Sequence, residues 1–199
     1  MAEQPRNGAS RRTCLKVIAA AAGGAAAGVG GAVAVGRLGR APEGPWRVLT
    51  PEEARLTEAV AEQIIPADRD PGAREAGVVH YIDRQLDGPL ARFAAPFRAG
   101  LRLLQQTCQT RHGKPFEALG WPEQTRLLEE LERNKAPKEI WTEPSARDFF
   151  NLCRDFTMQG FYGSPRHGGN RNYASYKMMG LEYPRLIGQN RYNIEKNRN

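Results

Sequence analysis

The apolar positions along the chain recur at helical spacing, beginning with the segment from Thr50 to Pro66. The apolar residues of this segment lie four positions apart and predict one buried helix face, formed by Leu56, Val60 and Ile64. Thr50 is a good N-cap, Pro51 suits the first helical position and Glu53 completes a capping box, so the helix is predicted to begin here. Pro66 is predicted to end it, and residues 67–72 are predicted to form a turn.

Four further segments show the same three- and four-residue spacing. The second runs from about residue 73 to 86, the third ends at Gly113 and the fourth follows Pro122. Pro96 and Gly100 lie inside the third segment and predict a kink there. The apolar positions of the four segments are, in chain order, Val78, Val79, Ile82 and Leu86; Leu90, Phe93, Phe97, Leu101, Leu104 and Cys108; Leu127, Leu128 and Leu131; and Phe149, Leu152, Cys153, Phe156 and Gly160.

The fifth segment is predicted to begin near Thr142 and Pro144, and it leads into a glycine- and asparagine-rich stretch, residues 160–180. No part of the chain alternates in the manner of a half-buried strand over a useful length. The pattern therefore predicts an all-α fold. We expect a small, irregular helical bundle that ends in a long ordered loop.

The composition of residues 160–180 favours a shaped surface. Glycines permit left-handed backbone, asparagines hydrogen-bond to neighbouring backbone, and aromatic side chains are enriched at interfaces. Two interpretations stay open: the stretch binds a partner, or it packs on its own bundle. The candidate partner-binding residues are Phe161, Tyr162, Pro165, His167, Gly168, Gly169, Asn170, Tyr173 and Tyr176.

An export signal is predicted at the start of the chain, where Arg11 and Arg12 precede an apolar run over residues 17–35. The stretch SRRTCLK is similar to the twin-arginine export motif, and residues 32–34 offer an A-x-A cleavage site. An uncleaved membrane anchor is the alternative, but alanine and glycine gain little from hydrocarbon. We therefore divide the chain into a signal (1–34), a Gly/Pro/Arg linker (35–48) and a helical domain (49–199), and expect a periplasmic protein, membrane-associated if the signal is retained.

The charge of the chain argues against nucleic-acid binding. The whole chain has 29 basic and 22 acidic residues, a net charge of +7. Loss of the signal, with four basic residues and one acidic residue, lowers the net charge to +4. The remaining excess is scattered apart from a group near the C-terminus, Arg185, Arg191, Lys196 and Arg198. Nucleic-acid binding needs a basic face or stripe, and none is visible.

Metal and cofactor motifs are missing from the sequence. The three histidines, His80, His112 and His167, are far apart and show none of the spacings that preset two ligands on one face. Only Cys108 and Cys153 remain after cleavage, too few for the usual four thiolates of an iron–sulfur cluster. Whether these two cysteines form a disulfide is left open. We expect neither a metal nor a cofactor in this chain.

Candidate catalytic groups are few. The pairs Asp68 with Asp70 and Asp83 with Asp87 are typical of caps or of solvated surface. His167 is the best candidate for a general base because imidazole titrates near neutrality. The sequence offers no partner that would orient its ring, so we predict no catalytic residue and keep His167 as the one candidate.

Two stretches resemble the gluconate 2-dehydrogenase subunit 3 family. The first is IIPADRDPGAREAGVVHYID, within residues 49–86, and the second is GFYGSPRHGGN, within residues 148–180. Together they are fairly specific, although His167 stands where the family usually has Tyr or Phe.

The resemblance implies a small, non-catalytic subunit of a periplasmic sugar or sugar-acid dehydrogenase. It implies a large partner subunit similar to the glucose–methanol–choline flavoproteins, which holds FAD and performs the oxidation. A cytochrome c or another carrier often receives the electrons in this family. The small subunit is expected to supply the export signal and to support maturation of the flavoprotein. The alternative is that residues 160–180 shape the sugar site or contribute His167 to it.

Overall fold

A computed structural model describes residues 44–181, so the predicted signal, most of the linker and the basic C-terminal group lie outside the described residues. Within 44–181 the chain forms helices joined by turns and short 3-10 segments, and it contains no strand. This confirms the all-α prediction. The α-helices are α1 (Pro51–Ile64), α2 (Val78–Leu86), α3 (Ala94–His112), α4 (Trp121–Glu132), α5 (Ala146–Tyr162) and α6 (Ala174–Met178).

Helix α5 lies at the centre of the bundle and packs against each of the other five helices. Its inward face carries aromatic side chains. The centroid of the Phe149 ring lies 6.0 Å from that of Phe97 and 5.6 Å from that of Trp141. Gly100 of α3 makes this packing possible, because a Cβ atom at this position would lie 2.0 Å from Cδ2 of Phe149. The structure thus gives Gly100 a packing role, and the kink predicted at Pro96 and Gly100 stays a prediction.

The N-terminus of α1 confirms the predicted capping box. Thr50 Oγ1 accepts a hydrogen bond from the backbone N–H of Glu53 at 3.2 Å, and the Glu53 carboxylate accepts one from the N–H of Thr50 at 2.9 Å. Two unpaired N–H groups at the helix start are satisfied in this way. Leu56 and Val60 are buried on the predicted face, and Ile64 is half-buried at the end of the helix.

Of two predicted helix starts, that of α2 is wrong and that of α5 agrees with the structure. Helix α2 begins at Val78 and not near residue 73, because Gly77 adopts left-handed backbone with φ 67° and interrupts the helical path. Helix α5 is entered through Thr142 and Pro144 as predicted and begins at Ala146, because Ser145 provides the cap: its Oγ accepts the N–H of Asp148 at 3.1 Å.

The predicted C-terminal loop is shorter than residues 160–180. The first three residues of that stretch complete α5, and Ala174–Met178 form α6. The segment between these helices contains two 3-10 turns, Pro165–His167 and Arg171–Tyr173. The sequence did not indicate α6 because the helix has only five residues and follows three residues with left-handed backbone, Asn170, Asn172 and Tyr173.

Cys108 and Cys153 are both free and buried. Burial raises the pKa of both thiols, that of Cys108 to about 12. The two side chains therefore remain protonated at neutral pH and act as small core residues rather than as nucleophiles.

None of the helices between residues 44 and 181 combines the length and hydropathy that crossing a membrane requires.

Candidate functional site

The segment that joins α5 to α6 is held against the bundle by its backbone. The N–H of Arg171 donates to the carbonyl of Ala76 at 2.9 Å. Asn170 is fully buried, its amide donating to the carbonyl of Gly163 at 2.8 Å and accepting the N–H of Ser175 at 2.9 Å. Gly169 lies so close to α5 that a Cβ atom would come within 2.2 Å of the Gly160 carbonyl oxygen. This part of the segment packs on its own bundle.

The predicted partner-binding residues occupy three environments. Phe161, Gly169 and Asn170 are buried inside the chain, where they shape the segment rather than form its surface. Tyr162 and His167 are exposed. The remaining four are half-buried: Pro165, Gly168, Tyr173 and Tyr176. The packing interpretation of residues 160–180 therefore holds for the buried subset, and partner binding stays a prediction for the exposed and half-buried residues.

Large exposed apolar side chains concentrate on the two helices that flank this segment. Five of the six such residues between positions 44 and 181 belong to the second half of α5 or to the end of α6 and the residues after it. We call them the α5–α6 surface: Met158, Tyr162, Met178, Met179 and Leu181. The sixth, Trp121, starts α4. Sequence reasoning found only Tyr162, although the pair Met178-Met179 beside aromatic residues was the available signal.

A cleft of about 490 Å³ lies where residues 44–47, α2 and the segment before α6 meet. Beside it, the rings of Trp46 and His80 stack with their centroids 4.9 Å apart. Three arginines are among the residues that line the cleft, which are Gly44, Pro45, Arg47, His80, Asp83, Arg84, Pro165, Gly168 and Arg171. We call it the arginine cleft.

Asp83 organises one wall of the arginine cleft. Its side chain is buried, and its carboxylate accepts three backbone N–H groups, from Arg47 at 2.9 Å and from Val48 and Leu49 at 3.0 Å each. The prediction that Asp83 is a helix cap or solvated surface is therefore wrong. The sequence could not show this, because the three donors lie more than thirty positions away. Asp87, in contrast, is exposed as predicted and pairs with Arg47 at 3.0 Å.

His167 is exposed and lies outside the lining of the arginine cleft. Its Nε2 accepts a hydrogen bond from Nε–H of Arg166 at 3.0 Å. In the described part of the chain no carboxylate hydrogen-bonds to His167, so no acid–base pair is assembled around it. Nor do residues 44–181 bring together three or more His, Cys, Asp or Glu side chains that could hold a metal ion.

Two carboxylates, the buried Glu58 and the half-buried Glu62, fix the turn between α1 and α2. Glu62 accepts the N–H of Ala67 at 3.1 Å and that of Arg74 at 2.8 Å, and Glu58 pairs with the Arg74 side chain at 3.0 Å. Burial raises the pKa of Glu62 and of Glu58, partly offset by these donors. These contacts of Glu58 and Glu62 hold the turn in place, and this structural role accounts for both carboxylates.

Comparison with known proteins adds one finding. The model of a protein family described as gluconate 2-dehydrogenase subunit 3 matches residues 51–182. The match runs from the first residue of α1 past the end of α6, and it includes the α5–α6 surface and most of the lining of the arginine cleft. Neither the curated proteins nor the solved structures give a match.

Proposed function

Because the chain belongs to the gluconate 2-dehydrogenase subunit 3 family, we propose that it is the non-catalytic small subunit of a periplasmic dehydrogenase complex that oxidises a sugar or sugar acid. In this proposal an FAD-binding large subunit of the glucose–methanol–choline type performs the oxidation. The small subunit carries the large subunit through the twin-arginine pathway and stabilises it. A cytochrome c subunit is a further candidate partner, as the acceptor of the electrons.

The exposed apolar character of the α5–α6 surface is the observation that carries the proposal. Exposed methionine and tyrosine side chains gain free energy when a partner removes them from water, and both residue types are enriched in the core of interfaces. These residues lie on α5, which packs against every other helix, and on α6, which packs against α5. A partner would therefore meet a surface already fixed in place by the core.

A co-purification experiment tests whether this surface binds the flavoprotein. Met158→Glu combined with Met178→Glu places two charges on the α5–α6 surface, because both side chains are exposed there, at 43% and 37%. We expect the amount of large subunit that co-purifies to fall at least tenfold, since an unpaired charge in an interface core is costly.

The control for this experiment is Trp121→Glu, which places a charge on an apolar residue of similar exposure, 46%, outside the α5–α6 surface. This variant should bind the flavoprotein as the natural chain does. Equal loss in both variants, or no loss in either, would show that the α5–α6 surface is not the docking site. Far-UV circular dichroism of each purified variant shows whether the helical fold is kept.

Export is tested separately, through the predicted signal. Replacing Arg11 and Arg12 by Lys in the co-expressed pair should leave both subunits, and the dehydrogenase activity, in the cytoplasmic fraction. Arg6→Lys makes the same chemical change outside the pair and should leave export intact. Appearance of the large subunit in the periplasm despite the paired replacement would refute the carrier role.

A second candidate function is favoured by the exposure of His167, which leaves its ring accessible to a partner. In this candidate His167 borders the substrate site of the assembled complex. His167→Ala would then raise KM for the sugar substrate and leave kcat nearly unchanged, because the ring contributes to binding and not to chemistry. An unchanged KM would dismiss this candidate.

A further inference from the structure

Two arginine side chains of the arginine cleft lie directly against glycines. A Cβ atom at Gly77 would lie 2.5 Å from Nε and 2.7 Å from Cδ of Arg171, and a Cβ atom at Gly168 would lie 3.0 Å from Cδ of Arg84. Both glycines have left-handed backbone, with φ 67° and 107°. The two glycines therefore leave room for the arginine side chains, and any residue larger than glycine at position 77 or 168 would displace them.

The segments that carry these arginines are fixed relative to each other. Arg84 belongs to α2, and the backbone N–H of Arg171 donates to the carbonyl of Ala76, just before α2, at 2.9 Å. Gly168 is on the same segment as Arg171. A Cβ atom at Gly168 would lie 3.2 Å from the carbonyl oxygen of His80 in α2. The two guanidinium groups thus share one cleft because the backbone holds both of its walls.

The charges in the arginine cleft are unbalanced. Three arginines line the cleft with a single acidic residue, Asp83, whose carboxylate already accepts three backbone N–H groups. Arg47 has its own partner, Asp87. Between residues 44 and 181, neither Arg84 nor Arg171 forms a side-chain hydrogen bond or an ion pair within 4 Å. Arg171 interacts electrostatically with Glu58, but the Glu58 carboxylate is bonded to the side chain of Arg74.

We propose that the arginine cleft binds a small oxyanion, a carboxylate or phosphate group, between the guanidinium groups of Arg84 and Arg171. Guanidinium groups match the geometry of these anions and bind them through paired, charge-assisted hydrogen bonds. The volume of about 490 Å³ lies in the range of small-molecule sites and exceeds what a lone anion needs, so the ligand can carry a hydroxylated chain. This site is independent of the proposed docking role.

Calorimetric titration of the full-length chain at low ionic strength tests the proposal. The probes are gluconate, which carries a carboxylate, inorganic phosphate, and glucose, which is similar to gluconate in size but uncharged. We expect at least one of the two anions to bind and glucose not to bind. Raising the salt concentration should weaken the binding, because counterions screen the guanidinium groups. Gluconate alone would assign the site to carboxylates, phosphate alone to phosphates, and both to oxyanions in general.

Charge-matched variants locate the binding. Arg84→Gln with Arg171→Gln should weaken anion binding at least about tenfold, since each guanidinium supplies a charge-assisted hydrogen bond. Arg102→Gln with Arg126→Gln removes the same charge from two exposed positions outside the cleft and should change the affinity less than about twofold. Absence of anion binding at millimolar concentrations, binding of glucose equal to that of gluconate, or equal loss in the two double variants would overturn the proposal.

A nuclear magnetic resonance measurement keeps the test valid if the Gln variants fold poorly. In the natural chain the Nε–H signals of Arg84 and Arg171 should shift on addition of the anion, and those of Arg102 and Arg126 should not. Shifts spread evenly over all four arginines would show nonspecific ion binding and would also overturn the proposal.

Discussion

The substitution Asp83→Asn weakens the hydrogen bonds between α2 and residues 47–49, and it hardly changes the shape of the side chain. Asp83 is 3% exposed, and its two carboxylate oxygens accept the backbone N–H groups of Arg47, Val48 and Leu49. An asparagine amide has one acceptor oxygen and one NH₂ group. With the oxygen in the Oδ1 position, the N–H groups of Val48 and Leu49 keep their acceptor, and that of Arg47 faces another donor.

The expected loss of unfolding free energy follows from these three hydrogen bonds. A hydrogen bond to a charged acceptor contributes about 1.5–3 kcal/mol, and one between neutral groups about 0.5–1.5 kcal/mol. The variant loses one bond of the first kind and weakens the other two, but it removes the cost of burying a charge. We therefore expect Asp83→Asn to lower the unfolding free energy by about 2–4 kcal/mol.

The assay is urea unfolding of the full-length chain, followed by circular dichroism at neutral pH. Asp87→Asn is the matched control, because it makes the same change four residues later on an exposed side chain that pairs with Arg47. A surface pair of this kind contributes about 0–1 kcal/mol. A loss for Asp83→Asn no greater than that for Asp87→Asn would refute the role assigned to Asp83.

Two further predictions concern the core and the turn after α1. Gly100→Ala should lower the unfolding free energy by about 1–3 kcal/mol, because the added Cβ would lie 2.0 Å from Phe149. This cost outweighs the better helix propensity of alanine. A variant that is more stable in urea unfolding would contradict this. Burial raises the pKa of Glu62 above its ordinary value of 4.5, so its contribution to stability is fully present below pH 4.5 and is lost as pH rises through the raised pKa of the folded chain. Glu62→Gln, which does not ionise, should therefore gain stability relative to the natural chain between pH 4.5 and pH 7, and a constant or falling difference in unfolding free energy would contradict this.

The sequence predicted the local features of the fold well. The capping box at Thr50, the left-handed cap at Gly113 and the apolar faces of the helices each depend on residues within one or two turns of each other. Such features follow from backbone geometry and periodicity alone. The same reasoning correctly identified Asp68 as a turn residue, where its carboxylate accepts the N–H of Asp70 at 2.8 Å.

The sequence failed where a residue is explained by a partner far along the chain. In the sequence Asp83 is typical of a surface carboxylate, but in the structure it binds the backbone of residues 47–49. Gly77 is likewise unexceptional in the sequence, and only the structure shows the Arg171 side chain packed against it. The arginine cleft was missed for the same reason, since Arg47, Arg84 and Arg171 are unremarkable singly. Composition within residues 160–180 indicated a shaped surface, but only burial separates its internal residues from its accessible ones.

The central position of α5 determines what a partner of the α5–α6 surface would do to the whole domain. Gly160 brings α5 so close to α2 that a Cβ atom would lie 3.0 Å from the Tyr81 ring, and the Tyr81 hydroxyl donates to Gln159 at 2.9 Å. The part of the α5 backbone that carries Met158 and Tyr162 is therefore held in place by the core. A fixed surface loses little conformational entropy on binding, which favours affinity. Because a partner that binds only the folded state stabilises it, docking on α5 should stabilise the entire bundle rather than one end of it.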